Sequence, residues 1–562
     1  MPTQLPIKNE CAGRKTEGYC TPREDKTVQR MNVPPRRVIP VVFIPGIMGS
    51  NLRMSPARQK RLKKTNNAAW RPDSLSELAN IATTSAAERQ LQLDPRETTV
   101  DSYDDGKAPT GTVSESATDR HDMGDIHVYL SHDNASPLLT DDPPTAKPRL
   151  MKADKARQRG WSEVFLSSYQ TLLENCEKYL NSSIVSTRWR EIINRDPAEW
   201  SAVPDCKLTA LTEEEYRAAM KGCFFPVHAM GYNWLEGNER SAMRLSERLT
   251  KVIHHYKRAG FVCEKVILLT HSMGGLVARA IVHPAIGGLS DSVLGIVHGV
   301  MPALGSPAAY KRMRCGFEQN GPGAFVASFA LGSTGAKVTA VLGNSLGGLQ
   351  LLPSQAYGNA WLEIRHNKTL FDALPKKGDP YEEIYKVRDR WYGLLREEWL
   401  NPALDNHSGI ARAHRLLDLA KKFHTQISGT YHPLTYAHYG ADSSRPSWER
   451  ITWHLSTGFA NVNWQLLRID SDNGQGALRL CPPNDPNVRY PEQGQAILGP
   501  AIGAGDQTVP IRSADDQLRC GKLSGVFRQT GYEHQSSYSN DKVLNATLYS
   551  IVRIAQNMVW SK

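Results

Sequence analysis

One short segment, residues 266–279, limits the possible folds of this chain more than any other. It opens with the apolar run Val-Ile-Leu-Leu, passes through Thr270-His271-Ser272-Met273-Gly274-Gly275, and continues in the helical pattern of residues 275–283. A strand-to-helix turn of this kind exposes its serine hydroxyl and points the amides of the helix start toward it. The segment makes Ser272 a candidate nucleophile, although Thr270 stands where the pattern G-x-S-x-G has its first glycine.

A second segment matches that pattern more literally. Gly343-Asn344-Ser345-Leu346-Gly347 has both glycines, but Pro353 follows too soon for the helix that should cover a reactive serine. We therefore favour Ser272 and assign Ser345 to a loop or lid. The alternative is that Ser272 is an incidental serine at a helix start, because the pentapeptide alone occurs by chance.

A serine nucleophile requires a base, and the base requires an acid that orients it. Asp506 lies in a glycine-flanked loop, residues 503–510, and His534 lies in a polar loop, residues 531–537, just before the last predicted helix. This gives the chain order Ser, Asp, His that is typical of α/β hydrolases. Asp442 and Asp472 are rival acids, since each follows a possible strand and precedes His534.

The rest of the chain alternates between strand and helix patterns. Strands are predicted at 38–44, 224–230, 265–270, 293–297 and 434–439. Helices are predicted at 165–180, at 541–558 and after Asn238, which is a plausible N-cap. Alternation of this kind predicts an α/β fold, with a mostly parallel sheet covered by helices on both faces.

The composition shifts along the chain suggest four parts. We interpret residues 1–37 as a basic N-terminal leader, and residues 38–320 and 430–562 as the core, with a polar insertion at about 53–160. Residues 321–429 are interpreted as an inserted helical cap or lid with helices at about 382–400 and 409–425, although core helices of an ordinary second lobe fit the pattern equally well. A hairpin is expected over about 450–481.

The charge and the missing motifs narrow the range of partners. The net charge of +11 could serve nucleic acid, anionic lipid or an acidic protein. Seven basic residues in 53–71 could hold anionic headgroups, although a solvated loop is the simpler interpretation. The sequence has no zinc-ligand spacing, no P-loop and no dinucleotide fingerprint, so we expect no cofactor and no metal. The first residues lack the apolar run of a secretory signal, which favours a cytoplasmic start.

Five motifs together resemble a known group of enzymes. They are Pro45-Gly46-Ile47-Met48-Gly49-Ser50, His271-Ser272-Met273-Gly274-Gly275, Gly305-Ser306-Pro307, Leu351-Leu352-Pro353-Ser354 and Gly505-Asp506-Gln507-Thr508-Val509-Pro510. In these patches the chain resembles lipases of the lecithin:cholesterol acyltransferase and GPI-inositol-deacylase-like type. The segment Arg159-Gly160-Trp161-Ser162-Glu163-Val164 and the length resemble the type VI secretion lipase effectors, most closely their fourth phospholipase family.

The resemblance implies an α/β-hydrolase fold and assigns roles to particular residues. Ser272 would be the nucleophile, His534 the base and Asp506 its orienting acid, while the amides of Ile47 and Met273 would form the oxyanion hole. The family usually has glycine at the position of Gln507, which leaves the shape of that loop open.

The function implied is hydrolysis of phospholipid acyl esters by an antibacterial effector. The expected partners are a phospholipid membrane surface, an immunity protein and a secretion-spike protein, without nucleic acid. A toxin of this kind would be made in the cytoplasm and delivered to the periplasm of a target cell. The alternatives are an intracellular esterase or acyltransferase of the same fold, and a catalytically inactive binding protein.

Overall fold

The computed structural model describes residues 36–73, 81–102, 152–182, 187–318, 332–366, 369–456, 463–483 and 494–561, together with three short strands near the N-terminus. These strands, Ile7–Glu10, Gly13–Gly18 and Gln29–Val33, form a small antiparallel sheet within the predicted leader. Part of the predicted polar insertion, the last two residues of the first predicted core segment (319–320) and the start of the predicted cap, residues 321–331, lie outside the described residues.

The centre of the molecule is a six-stranded sheet in which every pairing is parallel. Its strands are β1 (Val41–Ile44), β2 (Val227–Ala229), β3 (Val266–His271), β4 (Val293–Gly299), β5 (Thr435–Gly440) and β6 (Gly525–Gln529). They lie side by side in the order β2-β1-β3-β4-β5-β6. The runs of apolar and β-branched residues in β1, β3 and β4 are fully buried because helices cover both faces of a parallel sheet.

Four helices cover this sheet: α1 (Leu166–Leu180), α2 (Asn238–Arg258), α3 (Gly274–Val282) and α4 (Asp541–Ala555). The alternation of side chains along β1 divides the core in two. Val41 and Phe43 pack in the cluster with α1 and α4, whereas Val42 and Ile44 pack in the cluster with α2 and α3. The predicted mostly parallel sheet with helices on both faces is confirmed.

A second sheet joins strands from distant parts of the chain. In spatial order these strands are Thr369–Leu374, Leu362–His366, Ile451–Leu455, Gly494–Leu498, Ala477–Cys481 and Arg468–Asp472. Two of them come from the predicted cap and four from the segment after it, so this second lobe draws on both. The cap boundaries at 321 and 429 stay a prediction.

The remaining elements of the described residues lie around these two sheets, and all are short except the 18-residue helix Ile410–Ile427. The other strands are Arg37–Val38, Leu52–Met54, Ala68–Trp70, Thr98–Val100, Cys223–Phe224, Asp442–Ser447 and Gly503–Gly505. The other α-helices are Pro56–Arg61, Ala86–Gln92, Lys152–Gln158, Thr187–Arg190, Glu213–Met220, Pro307–Cys315, Gly335–Leu342, Leu346–Leu349, Glu397–Leu400, Ile410–Ile427, Ile511–Ala514 and Asp516–Arg519.

Three expectations about elements are wrong in detail. The predicted helix at 382–400 is a π-helical turn, Tyr381–Tyr385, followed by turns and the short helix Glu397–Leu400. The N-cap of α2 is Gly237, and Asn238 is already helical. The hairpin within 450–481 joins only Arg468–Asp472 to Ala477–Cys481, because Ile451–Leu455 pairs with other strands of the second sheet.

The polar insertion is folded where the structure describes it. Leu52–Met54 pairs with both Ala68–Trp70 and Thr98–Val100. Two members of the basic cluster, Arg58 and Arg71, are buried and form ion pairs with Asp94 and Asp101. These two arginines are therefore not free for headgroups. Among the described helices, none is both long and apolar enough to cross a membrane.

Candidate active site

Ser272 lies at the sharp turn between β3 and α3. Its φ of 53° is in the left-handed region, which costs a non-glycine residue about 1–3 kcal/mol. The turn is held by main-chain hydrogen bonds from Ser272 N–H to the Gly299 carbonyl at 2.8 Å and from Gly275 N–H to the Ser272 carbonyl at 2.9 Å. Strain that the fold retains at one residue is typical of a functional turn.

Gly274 lets the start of α3 pack against the end of β1. A Cβ atom there would lie 2.4 Å from the carbonyl oxygen of Ile44 and 2.5 Å from that of Pro45. Gly46 also has no room for a side chain, since a Cβ atom there would lie 2.9 Å from Cβ of Ser272. The loop of residues 45–50 therefore lies directly against the serine.

Ser272, His534 and Asp506 form one continuous hydrogen-bonded chain. The Ser272 hydroxyl lies 2.8 Å from Nε2 of His534, and Nδ1 of His534 lies 2.9 Å from Oδ2 of Asp506. Because a carboxylate only accepts hydrogen bonds, Nδ1 carries the proton and the free Nε2 lone pair faces the hydroxyl. The sequence predicted these three residues, and the structure brings them together from three distant segments.

The carboxylate of Asp506 is buried but well provided with donors. Its Oδ1 accepts from the amides of Val509 at 2.7 Å and Thr508 at 3.1 Å. The main chain makes a further link, because His534 N–H donates to the Asp506 carbonyl at 2.9 Å. Asp506 and His534 are therefore joined through both side chain and backbone, which fixes the orientation of the imidazole.

Gln507 stands where the sequence resemblance predicts glycine, and its backbone is in a left-handed conformation. Its φ is 70°, in the left-handed region that favours glycine. Its amide donates to the carbonyl of Arg445 at 3.3 Å. The departure from the family pattern thus leaves a strained residue in place and the Asp506 carboxylate still directed at His534.

Neither rival acid contacts His534 within the described part of the chain. Asp442 accepts from the amide of Gly531 at 2.9 Å and from Ser444, so it supports the histidine loop from outside. These hydrogen bonds, that of Ser444 first, lower the pKa of Asp442. Asp472 belongs to the second sheet and bonds Arg396 at 2.9 Å.

The amides assigned to the oxyanion hole flank the serine. Met273 is buried at the start of α3, and Ile47 is half-buried in the 45–50 loop. Among the main-chain hydrogen bonds of the described loops and turns, neither amide is a donor. Their role as oxyanion donors stays a prediction.

The segment 159–164 supports the 45–50 loop from behind. Asn51 N–H donates to the Glu163 carbonyl at 2.8 Å, and Phe165 N–H donates to the Gly49 carbonyl at 2.9 Å. The carboxylate of Glu163 accepts from Gly231 N–H at 3.0 Å and from Arg248 at 2.7 Å. This motif is therefore part of the framework of the site.

Two further motifs meet beside the acid loop. Ser306 N–H donates to the Leu351 carbonyl at 2.8 Å, and a Cβ at Gly305 would lie 2.1 Å from the carbonyl oxygen of Leu352. The hydroxyl of Ser306 donates to the carbonyl of Thr508 at 2.7 Å. The motif at 305–307 therefore links the motif at 351–354 to the loop that carries Asp506.

Sequence reasoning missed a layer of buried side chains under the serine turn. His271, His298 and His438 lie on β3, β4 and β5, and burial lowers the pKa of each to about 3. Tyr169 of α1 lies 3.1 Å from Nδ1 of His271, and Nδ1 of His298 lies 3.1 Å from the hydroxyl of Thr270. Only the position of His271 beside Ser272 could have drawn attention to it, because its partners are far away in sequence.

Comparison with known proteins identifies the family. No protein-family model matches the sequence, and no curated protein matches it. Among solved structures, one described as "The crystal structure of Tle4-Tli4 complex" matches with a TM-score of 0.71 and 30% sequence identity, over 92% of this chain and 99% of that chain. Identity at this level over nearly the whole length shows common family as well as common fold. The chain belongs to the Tle4 family and has its α/β-hydrolase fold.

Proposed function

We propose that this chain is a serine lipase that hydrolyses acyl esters of membrane phospholipids, and that it acts as an antibacterial type VI secretion effector. The observation that carries the proposal is the hydrogen-bonded chain from Asp506 through His534 to Ser272, with Ser272 held at a strained strand-to-helix turn. Membership of the Tle4 family supports the effector assignment. The wider likeness to lecithin:cholesterol acyltransferase stays a prediction from the motifs.

In the first half of the reaction, Ser272 becomes acylated. His534 Nε2 takes the hydroxyl proton as Oγ attacks the carbonyl carbon of the ester, and Asp506 stabilises the imidazolium that forms. The amides of Ile47 and Met273 donate to the oxyanion, at about 3 kcal/mol of transition-state stabilisation for one donor. The imidazolium then gives its proton to the departing lysophospholipid oxygen, the C–O bond breaks, and an acyl-enzyme is left.

In the second half, water releases the fatty acid. His534 removes a proton from water as its oxygen attacks the acyl carbonyl, and the same proton returns to Oγ of Ser272 when the ester bond to the enzyme breaks. The net reaction consumes one water and yields a fatty acid and a lysophospholipid. If an alcohol replaced water at this step, the product would be a new ester, which is the acyltransferase alternative.

The family also supports a proposal about partners and delivery. The matched structure is a complex of Tle4 with Tli4. We therefore expect this chain to bind a cognate immunity protein, to be loaded on a secretion-spike protein, and to act in the periplasm of a target cell. The immunity protein would protect the producing cell by blocking the mouth or lid of the site.

The test is mass spectrometry of the products from vesicles of mixed phospholipids. Wild type should release free fatty acids and lysophospholipids, and Ser272→Ala should release none above the uncatalysed level. Equal release by Ser272→Ala would overturn the assignment of the nucleophile. New esters in place of fatty acids would establish acyl transfer, and a wild-type protein without either product would favour a binding protein.

A further inference from the structure

Two buried side chains connect the loops on either side of Ser272. The hydroxyl of Tyr169 lies 3.4 Å from the amide nitrogen of Gly46 and 3.1 Å from Nδ1 of His271. On the other side of the ring, Nε2 of His271 lies 3.0 Å from the carbonyl oxygen of His534. A hydrogen-bonded path therefore runs from the 45–50 loop, behind the serine, to the main chain of the catalytic base.

The direction of each hydrogen bond follows from the chemistry of its ends. The carbonyl of His534 can only accept, so Nε2 of His271 carries a proton and donates it. In the neutral ring Nδ1 then accepts, and its donor is the hydroxyl of Tyr169. That hydroxyl accepts in turn from the amide of Gly46. Every donor along the path has an acceptor.

Burial keeps His271 in the form that this arrangement needs. Tyr169 and His271 are each 1% exposed. Burial, with the neighbouring His534 as a smaller cause, lowers the pKa of His271 to about 3. The ring is therefore neutral at ordinary pH, with one donor and one acceptor nitrogen.

Helix α1, which carries Tyr169, also contacts the loop of residues 531–537 that contains His534. Ser168, beside Tyr169 on α1, accepts from the amide side chain of Gln535 at 2.6 Å. The main chain of His534 is thus fixed on both sides, since its N–H donates to Asp506 and its carbonyl accepts from His271. Movement of α1 or of the His271 ring would shift the imidazole relative to Ser272.

We propose that Tyr169 and His271 are positioning residues for the ester hydrolysis, holding the 45–50 loop and the main chain of His534 in register with the Ser272 hydroxyl. This inference rests on the proposed function. The competing explanation is that both residues only fill the core, in which case their loss would lower stability without a specific effect on turnover.

The test compares four variants in steady-state hydrolysis of a short-chain acyl ester. Tyr169→Phe removes the hydroxyl and keeps the ring. His271→Gln keeps a donor near the Nε2 position, whereas His271→Asn keeps an acceptor near the Nδ1 position and cannot reach His534. Tyr549→Phe is the matched control, because its buried hydroxyl donates to the carbonyl of Thr209 at 2.8 Å, a residue in none of the motifs.

Positioning predicts a loss in kcat with KM almost unchanged. We expect kcat to fall by about tenfold to a hundredfold in Tyr169→Phe and His271→Asn, since small displacements of reacting groups are costly. His271→Gln keeps the hydrogen bond to the His534 carbonyl but not the one from Tyr169, so it should lose no more kcat than Tyr169→Phe does, and Tyr549→Phe should match wild type. The melting temperature of each variant shows how much of an effect is unfolding.

Wild-type kcat in Tyr169→Phe and in whichever His271 variants fold would overturn the inference. So would a loss in His271→Gln far larger than that in Tyr169→Phe, because both variants remove the hydrogen bond between Tyr169 and residue 271. Activity that survives Ser272→Ala in the same assay would instead overturn the proposed function, so the two failures are distinguishable.

Discussion

Two serines in this chain, Ser272 and Ser345, lie in similar local sequences but differ in backbone conformation and in the partners of their hydroxyl groups. Ser272 and Ser345 are each followed two positions later by a glycine that packs against the main chain. A Cβ at Gly274 would lie 2.4 Å from the Ile44 carbonyl oxygen, and a Cβ at Gly347 would lie 2.3 Å from that of Trp234. In both places the glycine marks a close approach of two backbones.

The serines themselves lie in different environments. Ser345 has an ordinary φ of −110° and caps the short helix Leu346–Leu349, with its hydroxyl donating to the Leu235 carbonyl at 2.9 Å and accepting from Gly348 N–H at 3.1 Å. Ser272 has a φ of 53°, and its hydroxyl lies 2.8 Å from Nε2 of His534, the proposed base. A reactive serine therefore needs a strained turn and a base from another segment, neither of which the pentapeptide encodes.

The largest difference between the Ser272 region and the Ser345 region should appear when Asp506, the proposed acid, is replaced. Asp506→Asn should lower kcat by about 10⁴-fold, because an amide at this position favours the wrong tautomer of His534. Asp442→Asn is the matched control, since its amide oxygen can still accept from Gly531, and we expect its kcat to stay within about tenfold of wild type. Steady-state ester hydrolysis measures both. If Asp442→Asn lost more kcat than Asp506→Asn, Asp442 and not Asp506 would be the acid that orients His534.

A smaller effect should follow from the histidines behind Ser272. His438 has a pKa of about 3 in the folded chain, against an ordinary value of 6.5, because it is buried. Below pH 6.5 the unfolded chain binds a proton that the folded chain does not, so stability is full above that pH and falls toward pH 3, by up to about 1.4 kcal/mol per pH unit for this group.

The variant His438→Leu should weaken this acid sensitivity. Within the described residues neither ring nitrogen of His438 has a hydrogen-bond partner, so the replacement leaves no partner unpaired. Urea unfolding at pH 8 and pH 5 should show a smaller difference for His438→Leu than for wild type. Substitution of the exposed His407 serves as the control. An unchanged pH dependence would mean that His438 has the same pKa in the folded and the unfolded chain.

The smallest effect belongs to Ser345. Ser345→Ala removes a helix cap and should lower the free energy of unfolding by about 1 kcal/mol. The activity per folded molecule should equal that of wild type, because this hydroxyl lies away from the base. Chemical denaturation and ester hydrolysis of the same sample separate the two quantities. A loss of turnover without a loss of stability would give Ser345 a part in the reaction.

The features that could be predicted from the sequence are those that depend on residues close together in the chain. β3 and α3 lie on either side of one turn, so the apolar run and the glycines determine both elements. The hydrogen-bonded contact of Asp506 and His534 with each other and with Ser272 was predictable through chain order and their loops. The conformation of the loop that carries Asp506 could not be predicted from chain order, since Gln507 has a positive φ that the sequence did not suggest.

Interactions across long stretches of chain were not predictable. The stretch 382–400 has helical spacing, but the carbonyls of Tyr392 and Gly393 accept from Tyr310 and Arg314 of another helix, and Asp389 has a φ of 55°. Tertiary hydrogen bonds thus replace the helical ones. The parallel pairing of Leu362–His366 with Ile451–Leu455 is equally non-local. For the same reason the contacts of Tyr169 with Gly46 and His271 were missed.

The most direct test of the account is labelling with a fluorophosphonate probe followed by peptide mass spectrometry. Only a serine activated by a base reacts with such a probe, so the comparison of Ser272 with Ser345 becomes a single measurement. We expect one label per chain, carried by the peptide that contains Ser272, and none in His534→Ala. A label on Ser345, or a folded wild-type protein that stays unlabelled, would contradict the account.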